Sequence, residues 1–391
     1  MPPSLSPSAA SRWRRPPIQT FPLPYLIFPA ILLAIATSIT LFIHSDINTA
    51  LLWSQCHSHA RLPGLTQRAP LPSFISTPLC FLASFFELTL DARSALAAFA
   101  VVLAFVGGLL TVHTVEAARI CNAPSVLIAY PTGPWLVFNL VGGAFVWELV
   151  MIPAFLHHGK RVLAGDGQRA SSQDQEQGGE VDVTTATEEG RHLPASEVIA
   201  IPVAVAIGFY LPTILMLVLK SPAAILVWLF FPVYVSLVRQ VLRLIIIRVR
   251  SSSDRARSVH LESSRWSLVA VYALPVLFSI CAHIVMMWSA ALGPGDGDRR
   301  EETRSVIKFI EIDAAYMGLT VLYWMFVEVG WRVPLVALVS SVAVGSGAGV
   351  CLGWIYREWL IHGGIWSVED NDEAEQDSQS GRADEETPLL T

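Results

Sequence analysis

Few side chains in this sequence can do proton chemistry away from water. Inside its apolar stretches stand Glu87, His113, Glu116, Glu148, His283, Glu311, Asp313 and Glu328. An ionisable group in such a stretch is costly, and usually faces a bundle interior or a water-filled cavity. Glu148 is the most isolated, in Phe145-Val-Trp147-Glu148-Leu-Val-Met151. Asn139 lies nine residues earlier, on the opposite helix face, so the two are not partners. A Glu without a partner in that setting favours its neutral form and is available as a proton donor. The other reading pairs it with a polar group of another helix, for structure alone. Gly142 and Gly143, just before it, allow close helix approach.

Two further groupings share helix faces. His113, Glu116 and Arg119 step along one helix at i, i+3 and i+6, with Asn122 following, so neighbours can pair. That pattern reads equally as a salt bridge closing a span. Over 309–330, the helical period puts Asp313, Tyr316, Met317, Thr320, Trp324 and Glu328 on one face, with Glu311 nearly opposite. Such a face is either a helix whose ends reach the membrane interface with its aromatic belt, or an apolar pocket. In the pocket an acid sits at the rim and aromatic faces stabilise positive charge. Cys56-His57-Ser-His59 has metal-ligand residue types but no second ligand pair. No phosphate loop, nucleophile elbow or HExxH occurs, and no DDxxD run lies in or beside a span. Neither a metal nor another cofactor is expected.

The elements that hold these groups are membrane helices. Of 391 residues, 53% are hydrophobic and 15% charged, with a mean hydropathy of +0.52. That is too little charge for a soluble surface of this size. Acidic residues crowd 166–189 and 369–386, so the net charge of −6 belongs to loops and does not point to nucleic acid. A span needs about 20 apolar residues. The candidates are 24–44, 74–90, 95–115, 132–156, 196–219, 222–242, 267–292, 309–330 and 333–356. They predict an all-α integral membrane protein, a polytopic bundle of about eight or nine transmembrane helices. Its order is an N-terminal arm over 1–23, helices one to four over 24–158 and a hydrophilic loop over 159–194. Helices five and six over 195–242, a basic cytosolic loop over 243–266, helices seven to nine over 267–366 and an acidic tail over 367–391 follow. The arm, the hydrophilic loop and the tail are expected to be disordered. The short, Glu87-bearing 74–90 becomes a span if the three basic regions are all to be cytosolic. These are the arm, Lys160-Arg161 and 243–265, and the tail then falls on the far side. Five widely spaced cysteines suggest free thiols.

The stretch from Pro78 to Leu156 resembles a known family. It contains Pro78-Leu-Cys80-Phe-Leu-Ala-Ser-Phe-Phe86, His113 through Asn122, and Gly133-Pro-Trp135-Leu-Val-Phe-Asn139-Leu-Val-Gly142-Gly143. It is similar to the fungal membrane-bound terpene cyclases of the ascochlorin/ascofuranone meroterpenoid type. The resemblance implies a metal-independent cyclisation of an epoxidised farnesyl chain on an aromatic polyketide. An acid opens the epoxide, alkenes or a hydroxyl capture the cation, and a base removes the last proton. On that reading Glu148 or Asp313 donates the proton, and Glu116 orients it or accepts the final one. Trp147, Tyr316 and Trp324 line the cation path, and His113, Arg119, Asn139 and Glu328 complete the substrate site. The partners implied are a prenylated aromatic substrate, membrane lipid and pathway enzymes on the same membrane, and the expected location of this multi-pass protein is the endoplasmic reticulum. The competing readings are a transporter or receptor-like protein using buried acids, and a scaffold without a small-molecule site. No paired interrupted helices, the usual pointer to a transporter site, are apparent in corresponding halves.

Overall fold

In the computed structural model, the structure describes residues 16–44, 56, 73–173, 192–249, 258–259, 261, 265–293 and 301–360. Almost all of them are helical. The main helices are α1 (Leu23–His44), α2 (Ser73–Asp91), α3 (Arg93–Ala118) and α4 (Thr132–Val141). Helix α5 starts as Gly143–Val146, widens through a π turn at Trp147–Met151 and continues as Ile152–Gln173. Helix α6 is built the same way, from Glu197–Val205, a π turn at Ala206–Tyr210 and Leu211–Leu219. There follow α7 (Pro222–Leu229), α8 (Phe231–Val249), α9 (Arg265–Leu292), α10 (Glu301–Val329), α11 (Arg332–Val344) and α12 (346–360). A two-residue antiparallel pair joins β1 (Leu193–Pro194) to β2 (Ser258–Val259).

Among the described residues, four helices are individually long and apolar enough to cross a membrane: Leu23–Ile43, Arg93–Ala118, Glu197–Leu219 and Trp266–Leu292. The bent pair α7–α8, with a 54° angle at Phe230, makes a fifth if counted as one span. Their surfaces carry large exposed apolar side chains such as Phe42, Val218 and Trp288, as lipid-facing helices do. The chain is thus a helical protein with several helices fit to span a membrane, but the described residues do not reach eight or nine. The shortfall has a physical cause at two of the expected spans.

The expected span 132–156 is a helical hairpin. Twelve residues of straight helix would hold Trp135 and Trp147 about 18 Å apart, yet their ring centroids are 6.2 Å apart. The chain turns back at Gly142, whose φ of +117° suits glycine. The expected span 333–356 does the same at Gly345, φ +104°. Gly349 and Gly353 of α12 lie so close to Ala337 and Ser341 of α11 that a Cβ at either would collide there. Both tips lie halfway along neighbouring long helices: Gly143 at Asp313 of α10, and Gly347 at Ala104 of α3. Each hairpin therefore enters and leaves at one end of the bundle.

That end is fixed by several ties. Ile18, just before α1, touches Gly159 of α5, while Thr37 further along α1 bonds Glu148, so α1 and α5 are antiparallel. His158 of α5 donates to the Cys121 carbonyl just past α3 (2.8 Å), which makes α5 parallel to α3. The Ile120 amide bonds the His192 carbonyl, bringing β1, β2 and the starts of α6 and α9 to the same end. Glu197 at the start of α6 pairs with Arg239 of α8 (2.8 Å). Lys160 and Arg243 therefore leave the bundle at one end, along with the start of α1. They do so after α1 and α3 plus a hairpin, not after four spans. Antiparallel α1 and α3 leave no net crossing between them, so α2 is not a solitary crossing, contrary to the count from basic loops. Helix α12 also ends here, on the basic side, and the expected tail over 367–391 lies outside the described residues.

Three smaller expectations change as well. Helix α5 runs on to Gln173 and α8 to Val249, so the predicted loops at 159–194 and 243–266 begin as helix. Cys56 and Cys80 form a disulfide, tying Cys56 to α2, and Cys121, Cys281 and Cys351 are not in a disulfide. Odd spacing hid the bridge, because pairing depends on three-dimensional proximity. His57, His59, the arm over 1–15 and the tail from 361 lie outside the described residues.

Candidate functional site

The hairpin α4–α5 carries Glu148 into the bundle interior, where the residue is 0% exposed. Two local features aim it. The π turn at Trp147–Met151 widens the helix so that Trp147, Glu148 and Met151 are all buried. The start of α5 is held from outside: Asp313 of α10 accepts from the Gly143 amide (3.0 Å) and the Ala144 amide (3.0 Å). A helix beginning mid-bundle exposes N–H groups that need acceptors, and an acidic side chain also suits the positive end of the helix dipole. Thr37 of α1 donates to Glu148 Oε1 at 2.7 Å. Glu148 Oε2 has no hydrogen-bond partner among the described residues. Thr320 faces the same carboxyl but sends its proton to the Tyr316 carbonyl at 2.8 Å. With Thr37 donating to Oε1, the proton of the acid form sits on Oε2.

Aromatic rings cluster around Trp147, the residue before Glu148 in the chain. Trp147 packs on Trp324 (5.9 Å), Trp135 (6.2 Å) and the His113 ring (5.8 Å). Trp324 stacks against Phe155 (4.3 Å) and Trp354 (4.5 Å). Ring faces carry negative quadrupole charge, so such an interior attracts positive charge without supplying a nucleophile.

Beyond Trp354 the character changes. Its ring faces the Arg357 guanidinium (4.2 Å), the start of a buried ionic cluster. Arg357 pairs with Glu116 (3.4 Å), Glu328 (2.6 Å) and Glu358; Arg119 pairs with Glu116 and Glu358, each at 2.9 Å. Asn122 adds a bond to Glu116 (3.2 Å). The cluster clamps together the ends of α3, α10 and α12. Buried charges persist when paired and hydrogen-bonded in this way.

The predicted site residues therefore separate. Trp147, Trp324 and His113 come together in the aromatic interior, and Glu148 follows Trp147 in the chain with its carboxyl on Thr37. Tyr316 lies nearby, its hydroxyl paired with Thr40 of α1 (2.8 Å). Asp313 spends both oxygens on the α5 start. Glu116, Arg119 and Glu328 belong to the ionic cluster, although Glu328 also accepts from Trp324 Nε1 (3.0 Å). Asn139 donates to the Leu229 carbonyl (2.7 Å), pinning the tip of α4 to the break between α7 and α8. Sequence reasoning missed Thr37, a neutral hydroxyl in a search for charges. It also missed Arg357 and Glu358, which follow directly on an expected span ending at Tyr356.

A family model, the CtvD domain, matches residues 25–293. No curated protein and no solved structure matches the chain. The matched stretch is well over half of the sequence and contains α1, the α4–α5 hairpin and Glu148. The chain belongs to the CtvD domain family.

Proposed function

Proceeding from that membership, we propose that this chain is a membrane-bound cyclase of meroterpenoid type that opens an epoxide on a long apolar substrate by proton donation from Glu148. The observation that carries the reading is the carboxyl itself. It is wholly buried and anchored through one oxygen by Thr37, its other oxygen has no hydrogen-bond partner among the described residues, and its chain neighbour Trp147 packs on Trp324. The family membership is consistent with an enzyme of cyclase type.

Protonation at the epoxide oxygen breaks the adjacent C–O bond and leaves positive charge on carbon. The indole faces favour that charge over its neutral precursor, which lowers the barrier by binding the transition state more tightly than the ground state. An internal alkene or hydroxyl captures the carbon, and a proton leaves in the last step. Asp313 positions the acid by holding the start of α5. The finer identity of the substrate, an epoxidised farnesyl chain on an aromatic polyketide, rests on the sequence resemblance.

A transporter reading gains one point from the structure, since interrupted helices do occur at Gly142 and Gly345. Transporter half-helices usually point free N-termini at an anionic substrate. Here those N-termini are occupied, by Asp313 on α5 and by Ser279, which accepts from the Ala348 amide (2.9 Å), on α12. The cyclase reading therefore stands ahead. The proposed orientation places the basic end in the cytosol and the Cys56–Cys80 bridge toward an oxidising lumen, as in the endoplasmic reticulum. Thiol-reactive labelling of intact microsomes should spare both cysteines until a reductant is added.

The test supplies microsomes holding the protein with a farnesylated phenol epoxide and seeks an isomer of unchanged mass. The isomer should form with the native chain and not with Glu148→Gln at equal protein level. Equal turnover by the Gln variant would remove Glu148 from the mechanism.

A further inference from the structure

The hydrogen-bonding state of His113 is decided by its neighbour. Trp135 Nε1 lies 2.9 Å from His113 Nδ1. An indole nitrogen only donates, so Nδ1 must present its lone pair, and the ring hydrogen of the neutral imidazole is on Nε2. His113 is 0% exposed, and Nε2 meets no hydrogen-bond partner among the described residues. A buried N–H left without an acceptor is costly and rare. The ring is held on three sides, by Trp135 (6.1 Å), Trp147 (5.8 Å) and Phe155 (5.7 Å), so it cannot swing freely to find another partner.

We infer that His113 Nε2–H is a fixed donor for a neutral oxygen of the substrate, of carbonyl or ether type. This inference rests on the cyclase reading and deepens it. Trp147 separates the two polar positions, with His113 against its ring and Glu148 next to it in the chain. Each presents a hydrogen on the atom that the described residues leave unpartnered, Nε2 in one and Oε2 in the other. A substrate that places its epoxide at Glu148 and a second oxygen at His113 is held at two points, and the apolar chain between them lies along the indoles. The donor selects for an oxygenated apolar molecule over a pure hydrocarbon epoxide. The same geometry excludes His113 as the base for the last proton, because its lone pair is engaged by Trp135.

Two measurements test this, and only one needs turnover. In the first, nitrogen-15 spectra of histidine-labelled protein in detergent should show His113 with a bare Nδ1 and a protonated Nε2. The signal is assigned by its loss in His113→Gln. Adding a farnesylated phenol that carries an aryl ketone should shift the Nε2 resonance, and its methylene analogue should not. A protonated Nδ1, or equal shifts with both probes, would overturn the inference whether or not the protein is a cyclase. In the second, epoxides of the same two probes are compared as substrates. The native chain should prefer the ketone by about tenfold in KM, the worth of one hydrogen bond, with kcat little changed. His113→Phe should erase that preference, and His113→Gln, which keeps an N–H near the Nε2 position, should restore part of it. A preference surviving in His113→Phe would overturn the donor role. Absence of turnover with both probes, alongside the selective nitrogen shift, would count against the cyclase reading and leave the donor in place.

Discussion

The two hairpins that turn at Gly142 and Gly345 share a construction and differ in equipment. Each follows a long helix that runs toward the basic end, α3 in one case and α10 in the other. Each folds back through a glycine of positive φ, and each has its returning helix held by a side chain from elsewhere. Six residues past the turn, the first presents Glu148 and the second Cys351, both fully buried. The first is lined by Trp135, Trp147, Phe155 and His113. The second is packed by small residues, Gly347, Gly349 and Gly353, which let backbones touch. Its chemistry is displaced to its end, where Arg357 and Glu358 join the ionic cluster. One scaffold thus holds the proposed proton donor in one half and an ionic clamp in the other. Non-helical backbone at this depth is tolerated because it is buried in protein and its N–H groups are capped.

The sharpest way to break this contrast is to exchange the two residues that define it. Glu148→Gln should lower isomer formation by about 10²–10⁴-fold, the range for losing a general acid, while Cys351→Ala should leave it nearly unchanged. Comparable losses at equal protein level would mean the hairpins are not functionally distinct. Arg357→Met should act on folding instead. It leaves Glu116, Glu328 and Glu358 short of a shared cation, at a cost of about 3–5 kcal/mol, measured as loss of monodisperse protein in detergent. If the variant is as stable as the native chain, the clamp is not structural.

The turns themselves should rank. Alanine at either is strained, by about 1–3 kcal/mol. At Gly345 the new Cβ would also lie 2.7 Å from Ser279 Oγ and 2.9 Å from its carbonyl, whereas at Gly142 the nearest atom is Asp313 Oδ1 at 3.3 Å. Gly345→Ala should therefore melt lower than Gly142→Ala. The smallest effect is expected of Asp313→Asn, which keeps one acceptor for the start of α5. Stability should fall by about 1 kcal/mol, and turnover should fall by far less than in Glu148→Gln. A loss of turnover as deep as that of Glu148→Gln would make Asp313 the acid and Glu148 its support.

The helical, membrane-embedded character was legible from hydropathy, and so was the short list of acids that matter. The shared face of Asp313, Thr320 and Trp324 was legible from period alone. Their separate duties were not. Asp313 reads as a rim acid until the N–H groups of Gly143 and Ala144 are seen to occupy it. The span count failed where an apolar run of the right length is a hairpin, because hydropathy measures length and not direction. A glycine pair inside such a run marks close packing or a reversal, and the sequence offers no way to choose. Composition decided that this chain lives in a membrane and that few groups in it can handle protons, since transfer from water to hydrocarbon depends on residue type. Only the tertiary structure decided which of those groups is paired, capped or left with a hydrogen to give. Those outcomes turn on distances of about 3 Å between residues as far apart as Thr37 and Glu148, or Gly143 and Asp313.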